Sequence, residues 1–164
     1  MKGKGILLLV ALVLPTCIFV FLKFFGKNEF AVEPLYQVAP KEGVAAECGA
    51  LNFPYQVPDS VLKKYVQMGK DSMVLLAVGE LNKESDTQLK RVEEEFGDIS
   101  FIRRLMTNQA PLNRTLRKCV FLLPESSNLV LIDKEGTIRG QYNASDREDV
   151  DRMLTELTII FKKY

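Results

Sequence analysis

Asn128–Tyr142, NLVLIDKEGTIRGQY, decides how this chain is read. Leu129, Val130, Leu131 and Ile132 form a short apolar run of the kind that makes a buried strand. Asp133-Lys134-Glu135-Gly136 reads as a turn, because Gly136 is free to take a positive φ. Thr137–Tyr142 then alternates and returns as a second strand. A helical pattern follows at once. Ser145 and Glu148 supply its cap, and Val150, Met153, Leu154, Leu157 and Phe161 recur on one face. A hairpin feeding a closing helix speaks to fold, and nothing in it carries chemistry by itself.

Upstream, Ser72–Gly79 (SMVLLAVG) is a continuous apolar run and reads as the central strand. Ser85 opens a helix through a capping box with Gln88, and Gly97 ends it after Phe96. Leu89, Val92 and Phe96 line one face of that helix. Ile99–Met106 reads as another strand, Pro111–Lys118 as a short helix, and Cys119–Leu123 as an extended stretch reaching Pro124. Before the central strand, Leu51–Val57 reads as an edge strand because Pro54 has no N–H to give a ladder. Val61–Met68 fits a short strand or a helical turn. From the central strand onward the order is strand, helix, strand, helix, strand, strand, helix. That predicts the α/β class, with a parallel βαβ half, an antiparallel hairpin half and helices flanking a central mixed sheet. This is the topology of a thioredoxin-like fold.

The first residues predict a membrane anchor over 1–26. Gly5–Leu22 is uncharged and rich in Leu, Val, Ile and Phe, close to the ~20 apolar residues that a spanning helix needs. Lys23 can snorkel while Phe24 and Phe25 sit at headgroup depth. A cleaved signal peptide is the rival reading. Its apolar core runs to about 7–15 residues and is followed by a small-residue cleavage site, and no convincing site precedes Glu33. Cys17 is preceded by Leu14-Pro15-Thr16, which lacks the small residue of a lipidation signal, so it reads as a hydrophobe in the membrane. Lys2 and Lys4 place the N-terminus on the cytoplasmic side of an inner (cytoplasmic) membrane, with the folded domain periplasmic, or intermembrane in a mitochondrion. Residues 27–50, with Pro34, Pro40, Gly43 and Gly49, read as a tether, and residues 51–164 as the domain.

Composition narrows the chemistry. The net charge of +1 gives no field that draws nucleic acid, and the chain has no histidine. That removes zinc sites built on imidazole and every Ser-His or Cys-His nucleophile. Cys17, Cys48 and Cys119 show no CxxC or CxxxC spacing, hence no dithiol redox motif. Cys48 and Cys119 are the only cysteines expected outside the membrane. Closing a loop of about 70 residues by a disulfide between them is worth roughly 4 kcal/mol on chain-entropy grounds. A redox pair, a two-thiolate copper site and unpaired thiols are the other readings.

Met68, Met73, Met106 and Met153 lack MxxM-type spacing and read as core filling. Arg103, Arg104, Arg114, Arg117 and Lys118 read either as a basic cluster or as an ordinary solvated face. Asp133 and Arg139 read as turn cap and surface pair. Glu80 and Glu84 are the only carboxylates at the loop after the central strand. Asn113 and Asn143 head glycosylation sequons of a kind common by chance.

Across LVLIDKEGTIRGQYNASDREDVDRMLTEL the chain resembles the SCO/SenC family, membrane-anchored thioredoxin-like copper proteins used in assembling cytochrome oxidase. FPYQVPDSVL and MVLLAVGE are similar to the family's first strand and to the strand before its active loop. The resemblance implies copper held by a CxxxC pair and a distant histidine. Here the corresponding stretch, Gly79–Ser85 (GELNKES), contains no cysteine, and soft Cu(I) does not take Glu, Asn, Lys and Ser in place of thiolate and imidazole. No catalytic, cofactor-binding or metal residue carries over. The implied function is a non-catalytic assembly or accessory factor of a respiratory complex, with membrane and protein partners. The alternatives are a thiol or copper carrier using Cys48 and Cys119, and a structural subunit of a larger membrane complex.

Overall fold

The computed structural model describes residues 13–21, 23–24, 31–41, 43–68, 73–97, 101–105 and 109–163. Two compact units divide at Ala31/Val32. In the first, residues 13–21 and 23–24 are helical, and the apolar side chains of Val13, Leu14, Ile18, Phe19, Val20, Phe21 and Phe24 are exposed. Among the described residues no helix is long and apolar enough to cross a membrane. Much of the expected span, residues 1–12, 22 and 25–26, lies outside them.

The second unit is mixed α/β. A four-stranded sheet has the order β2-β1-β3-β4, with β1 at Met73–Val78, β2 at Ile102–Leu105, β3 at Leu129–Asp133 and β4 at Ile138–Tyr142. β1 runs parallel to β2 and antiparallel to β3, and β3 pairs antiparallel with β4. Every residue of β1 is buried, because both faces of the sheet are covered. Val74, Leu76 and Val78 join Val130 and Ile132 in one apolar cluster. Met73, Leu75 and Ala77 join Leu129 and Leu131 in the other.

The helices follow from the same logic. α1 is one turn, Asp59–Val61, continued as a π-helical turn over Leu62–Val66, and it buries Leu62 and Val66 in the first cluster. α2, Lys83–Phe96, and α4, Arg147–Lys163, cover the opposite face with Leu89, Val92, Val150, Met153, Leu157 and Ile160. α3, Ala110–Thr115, continues as a second π-helical turn over Leu116–Val120 on the first face. Phe161 is only half covered, and its ring meets Phe96 and Phe101 at 5.5 and 5.7 Å between centroids.

The hairpin is where the sequence places it. The Asp133 carboxylate accepts from the N–H groups of Glu135 (3.1 Å) and Thr137 (2.8 Å) and so caps the turn. Burial pushes its pKa up, against the pull of the Thr137 N–H and the Arg139 charge, and the Glu135 carboxylate adds to the rise. A register shift pairs Leu131 with Gly140 but Ile132 with Ile138, which leaves Arg139 as a bulge residue. Arg139 and Asp133 pair at 3.8 Å with side chains only 15% and 14% exposed, and Arg139 also donates to Val32 O at 2.7 Å. The pair is therefore inside the fold and not on its surface, as the sequence had implied.

Several other expectations are corrected. Leu51–Val57 is not a strand of the sheet. It bends at Phe53-Pro54 and packs on the first apolar cluster, where Tyr55 and Val57 are buried, and two long-range backbone bonds hold it, Tyr55 N to Tyr36 O and Val57 N to Gly136 O. Asn82, not Ser85, caps α2: its side chain accepts from Ser85 N at 2.8 Å, so the helix starts at Lys83. For α4, Asp146 in place of Ser145 accepts from Glu148 N. Cys119 lies in the π-helical turn, and Leu122 takes a left-handed φ of 48°, so Cys119–Leu123 does not run extended. Residues 32–50 do not run free as a tether, because Leu35 N donates to Ile138 O and Tyr36 packs against the first cluster. Ile99, Ser100 and Met106 lie outside the described residues.

Candidate functional site

Two places could carry chemistry: the loop after β1, and the neighbourhood of Cys48 and Cys119. At the first, Gly79–Leu81 leads into the Asn82 cap of α2. Asn82 Oδ1 accepts from Ser85 N and lies 3.3 Å from the Ser145 hydroxyl that donates to it. The hydroxyls of Ser85 and Ser145 share a hydrogen bond of 2.8 Å, and Ser85 is fully buried. Glu84 accepts from Gln88 Nε2 at 3.0 Å, and Glu80 is exposed. Asn82, Ser85 and Ser145 are engaged with one another, and Glu84 with Gln88. Next to this loop, Arg117 Nη2 donates to the carbonyls of Pro124 (2.9 Å), Glu125 (3.0 Å) and Ser127 (2.5 Å). Its Nη1 reaches Val78 O at the end of β1, at 3.5 Å.

That arrangement makes Arg117 a clamp on the segment leading into β3. Arg117→Ala leaves four carbonyls without their charged donor. It is expected to lower stability by about 1–2 kcal/mol, since part of the shell is solvent-exposed. Urea unfolding read by circular dichroism checks this, and an unchanged midpoint would show the clamp to be dispensable.

The other basic residues are dispersed. Arg104 pairs with Asp86 at 2.9 Å, and Lys118 with Glu47 at 2.6 Å. Arg103 donates to Ile102 O. Lys118 holds the Glu47 carboxyl below the usual range, with Arg114 adding to the effect. Met73 and Met153 are core residues, and Met68 packs against the first cluster. Asn143 Oδ1 accepts from Ser145 N. Cys17 is a free, exposed thiol in the first unit.

Cys48 and Cys119 are joined by a disulfide, with Cα atoms 5.0 Å apart across 71 positions of sequence. It ties a short 3-10 turn, Ala46–Cys48, to the π-helical turn Leu116–Val120. Beside it opens a groove of about 590 Å³, with Tyr36, Val44 and Ala45 along one wall and Lys118, Leu122 and Pro124 along the other. The far wall is rigidly supported. Tyr36 Oη donates to Leu122 O (2.9 Å) and reaches Gln141 Oε1 (3.0 Å). Gln141 Nε2 donates to the carbonyls of Phe121 (2.9 Å) and Leu122 (3.0 Å). Together these bonds hold Leu122 in its left-handed conformation, one that a branched residue seldom adopts. The clamp has no signature in the sequence because it is made to backbone carbonyls, which any residue supplies, and the network has none because its bonds join positions 19 to 105 apart.

Tyr55 donates to Val120 O at 2.7 Å, and burial pushes its pKa from 10.0 to about 12. The folded state thus favours the neutral phenol. Its contribution is complete below pH 10.0 and is lost as pH rises toward about 12. Unfolding free energy measured across that window is expected to fall, and Tyr55→Phe to flatten the fall. An equal slope in both proteins would assign the loss to other groups.

No protein-family model, no curated protein and no solved structure matches the chain.

Proposed function

We propose that this chain is a membrane-anchored, thioredoxin-like protein of SCO/SenC type. It acts as a non-catalytic assembly or accessory factor of a respiratory, cytochrome oxidase-type complex. The observation that carries the proposal is the sheet. In the order β2-β1-β3-β4, β1 is parallel to β2 and antiparallel to the β3–β4 hairpin, with α2 between β1 and β2. That arrangement, closed by α4, is how a thioredoxin-like domain is built. The apolar stretch before the domain supports the anchor, and the exposed Val13, Leu14, Ile18, Phe19 and Phe21 suit a lipid environment. Absence of a catalytic role is supported by the residues at Gly79–Ser85, where the family's thiolates stand and this chain has a helix cap.

The test is isolation of the full chain, tagged at its C-terminus, from its own membranes in mild detergent. Retention after an alkaline carbonate wash and co-isolation with oxidase subunits are the expected results. Release by the wash would overturn the anchor, and migration alone would overturn the assembly role. The reduced full chain is expected to bind no stoichiometric Cu(I). Stoichiometric binding abolished by Cys119→Ser would replace this reading with that of a copper carrier.

A further inference from the structure

We propose that the Cys48–Cys119 disulfide is a thiol-exchangeable latch. A protein dithiol reduces it, and residues 43–49 then leave the domain surface as a strap, dismantling the groove they wall.

Residues 43–49 belong to neither apolar cluster, although Tyr36 before them and Leu51 after them pack against the first. The turn Ala46–Cys48 buries no residue. Among the described residues, the backbone hydrogen bonds made by the N–H groups of Gly43, Cys48 and Gly49 stay local, to Pro40 O, Ala45 O and Ala46 O. Among the described residues, two direct links tie the strap to the far wall: the disulfide, and the Glu47–Lys118 ion pair, whose side chains are 61% and 51% exposed. An exposed pair of that kind holds a strap weakly. The covalent bond is the tie that matters.

The strap is also bracketed by glycines. Gly43 and Gly49 have φ of 75° and 72°, and a Cβ at either would meet nothing within 4 Å. Their absent side chains therefore serve backbone conformation and not packing, as hinge positions require. Both cysteines are half-buried, so the bridge is not sealed in the core, and access is one of the factors that set exchange rate. Leu122 on the opposite wall is bonded to Gln141 of β4 and to Tyr36, which lies outside 43–49 and packs against the first cluster, and so it stays when the strap goes.

The exchange balances as follows. One thiolate of the incoming dithiol attacks a bridge sulfur, forming a mixed disulfide and expelling the other cysteine as a thiolate. The second thiol of the dithiol then attacks the mixed disulfide and releases the remaining cysteine. Two electrons pass to the protein, the dithiol leaves as a disulfide, and its two protons end on Cys48 and Cys119. The proposal is independent of the assembly role and holds for whatever the groove receives.

Hydrogen–deuterium exchange on the full chain in detergent, oxidised and then reduced with dithiothreitol, tests it. On reduction, amides within 43–49 are expected to exchange on the order of tenfold faster or more, while β1 and β3 keep their protection. Cys48→Ser/Cys119→Ser should show the reduced profile without reductant. Three results would each overturn the proposal: a bridge that native dithiothreitol leaves intact, unchanged exchange at 43–49, or parallel loss of protection in β1 and β3. The last would make the bridge a staple of the whole fold.

Discussion

Gly136→Val is expected to lower the unfolding free energy by about 3 kcal/mol, from two separable causes. Gly136 sits at φ 80°, where an L-residue pays roughly 1–2 kcal/mol. A Cβ there would also lie 2.9 Å from Val57 O and 3.0 Å from Leu62 Cδ1. The nearer of these is backbone, and Val57 N is itself bonded to Gly136 O at 2.8 Å, so the segment cannot retreat without losing that bond. Overpacking of this kind costs about 1–3 kcal/mol. Gly97→Ala separates the two causes. Gly97 has φ 69° with nothing within 4 Å of its absent Cβ, so only the backbone penalty of about 1 kcal/mol applies. If urea midpoints show Gly136→Ala and Gly97→Ala to be equally costly, the close approach of the 51–68 segment to the hairpin carries no weight.

That contact marks the line between what was legible in the sequence and what was not. β1, the hairpin and α2 were readable because their apolar residues recur without a break or at the helical period, and each periodicity reports the element directly. The alternation in Leu51–Val57 is genuine, with Tyr55 and Val57 buried and Gln56 exposed. It records burial of one side of an extended chain. It does not record a ladder, since the segment crosses the sheet's face. Residues 32–50 carry the Pro and Gly of a linker, yet Leu35 N, Tyr36 Oη and Cys48 Sγ all find partners in the domain. Single contacts of that kind leave no periodicity to read. The cysteine pair was accessible by elimination, being the two cysteines outside the apolar N-terminal stretch. The groove was not, because its walls come from segments far apart in the chain, joined by the disulfide, the Glu47–Lys118 pair and Tyr36.

Phe121→Ala is expected to cost about 5 kcal/mol, the upper end of the range of roughly 3–5 kcal/mol for a buried aromatic. Phe121 has no exposed surface and is among the largest side chains so placed. The cost of such a cavity depends on whether the surroundings can collapse into it. Here they are held on every side. Phe121 N donates to Leu116 O at 2.8 Å, its carbonyl accepts from Gln141 Nε2 at 2.9 Å, and Leu123 N donates to Arg117 O at 2.9 Å. Cys119, two residues earlier, is bridged to Cys48. Phe121 shares its apolar cluster with Val74, Leu76 and Val130 of β1 and β3, strands paired on both edges. A tethered backbone over a rigid sheet leaves the void open, so the loss should approach the full transfer and cavity cost. Leu123→Ala removes a 5% exposed side chain at the groove and should cost less, about 2–3 kcal/mol, because that side opens to water. Urea unfolding at constant slope measures both. A Phe121→Ala loss below about 2 kcal/mol would mean that residues 116–123 settle onto the sheet when the ring is removed. The far wall would then lack the rigidity that an independently moving strap requires.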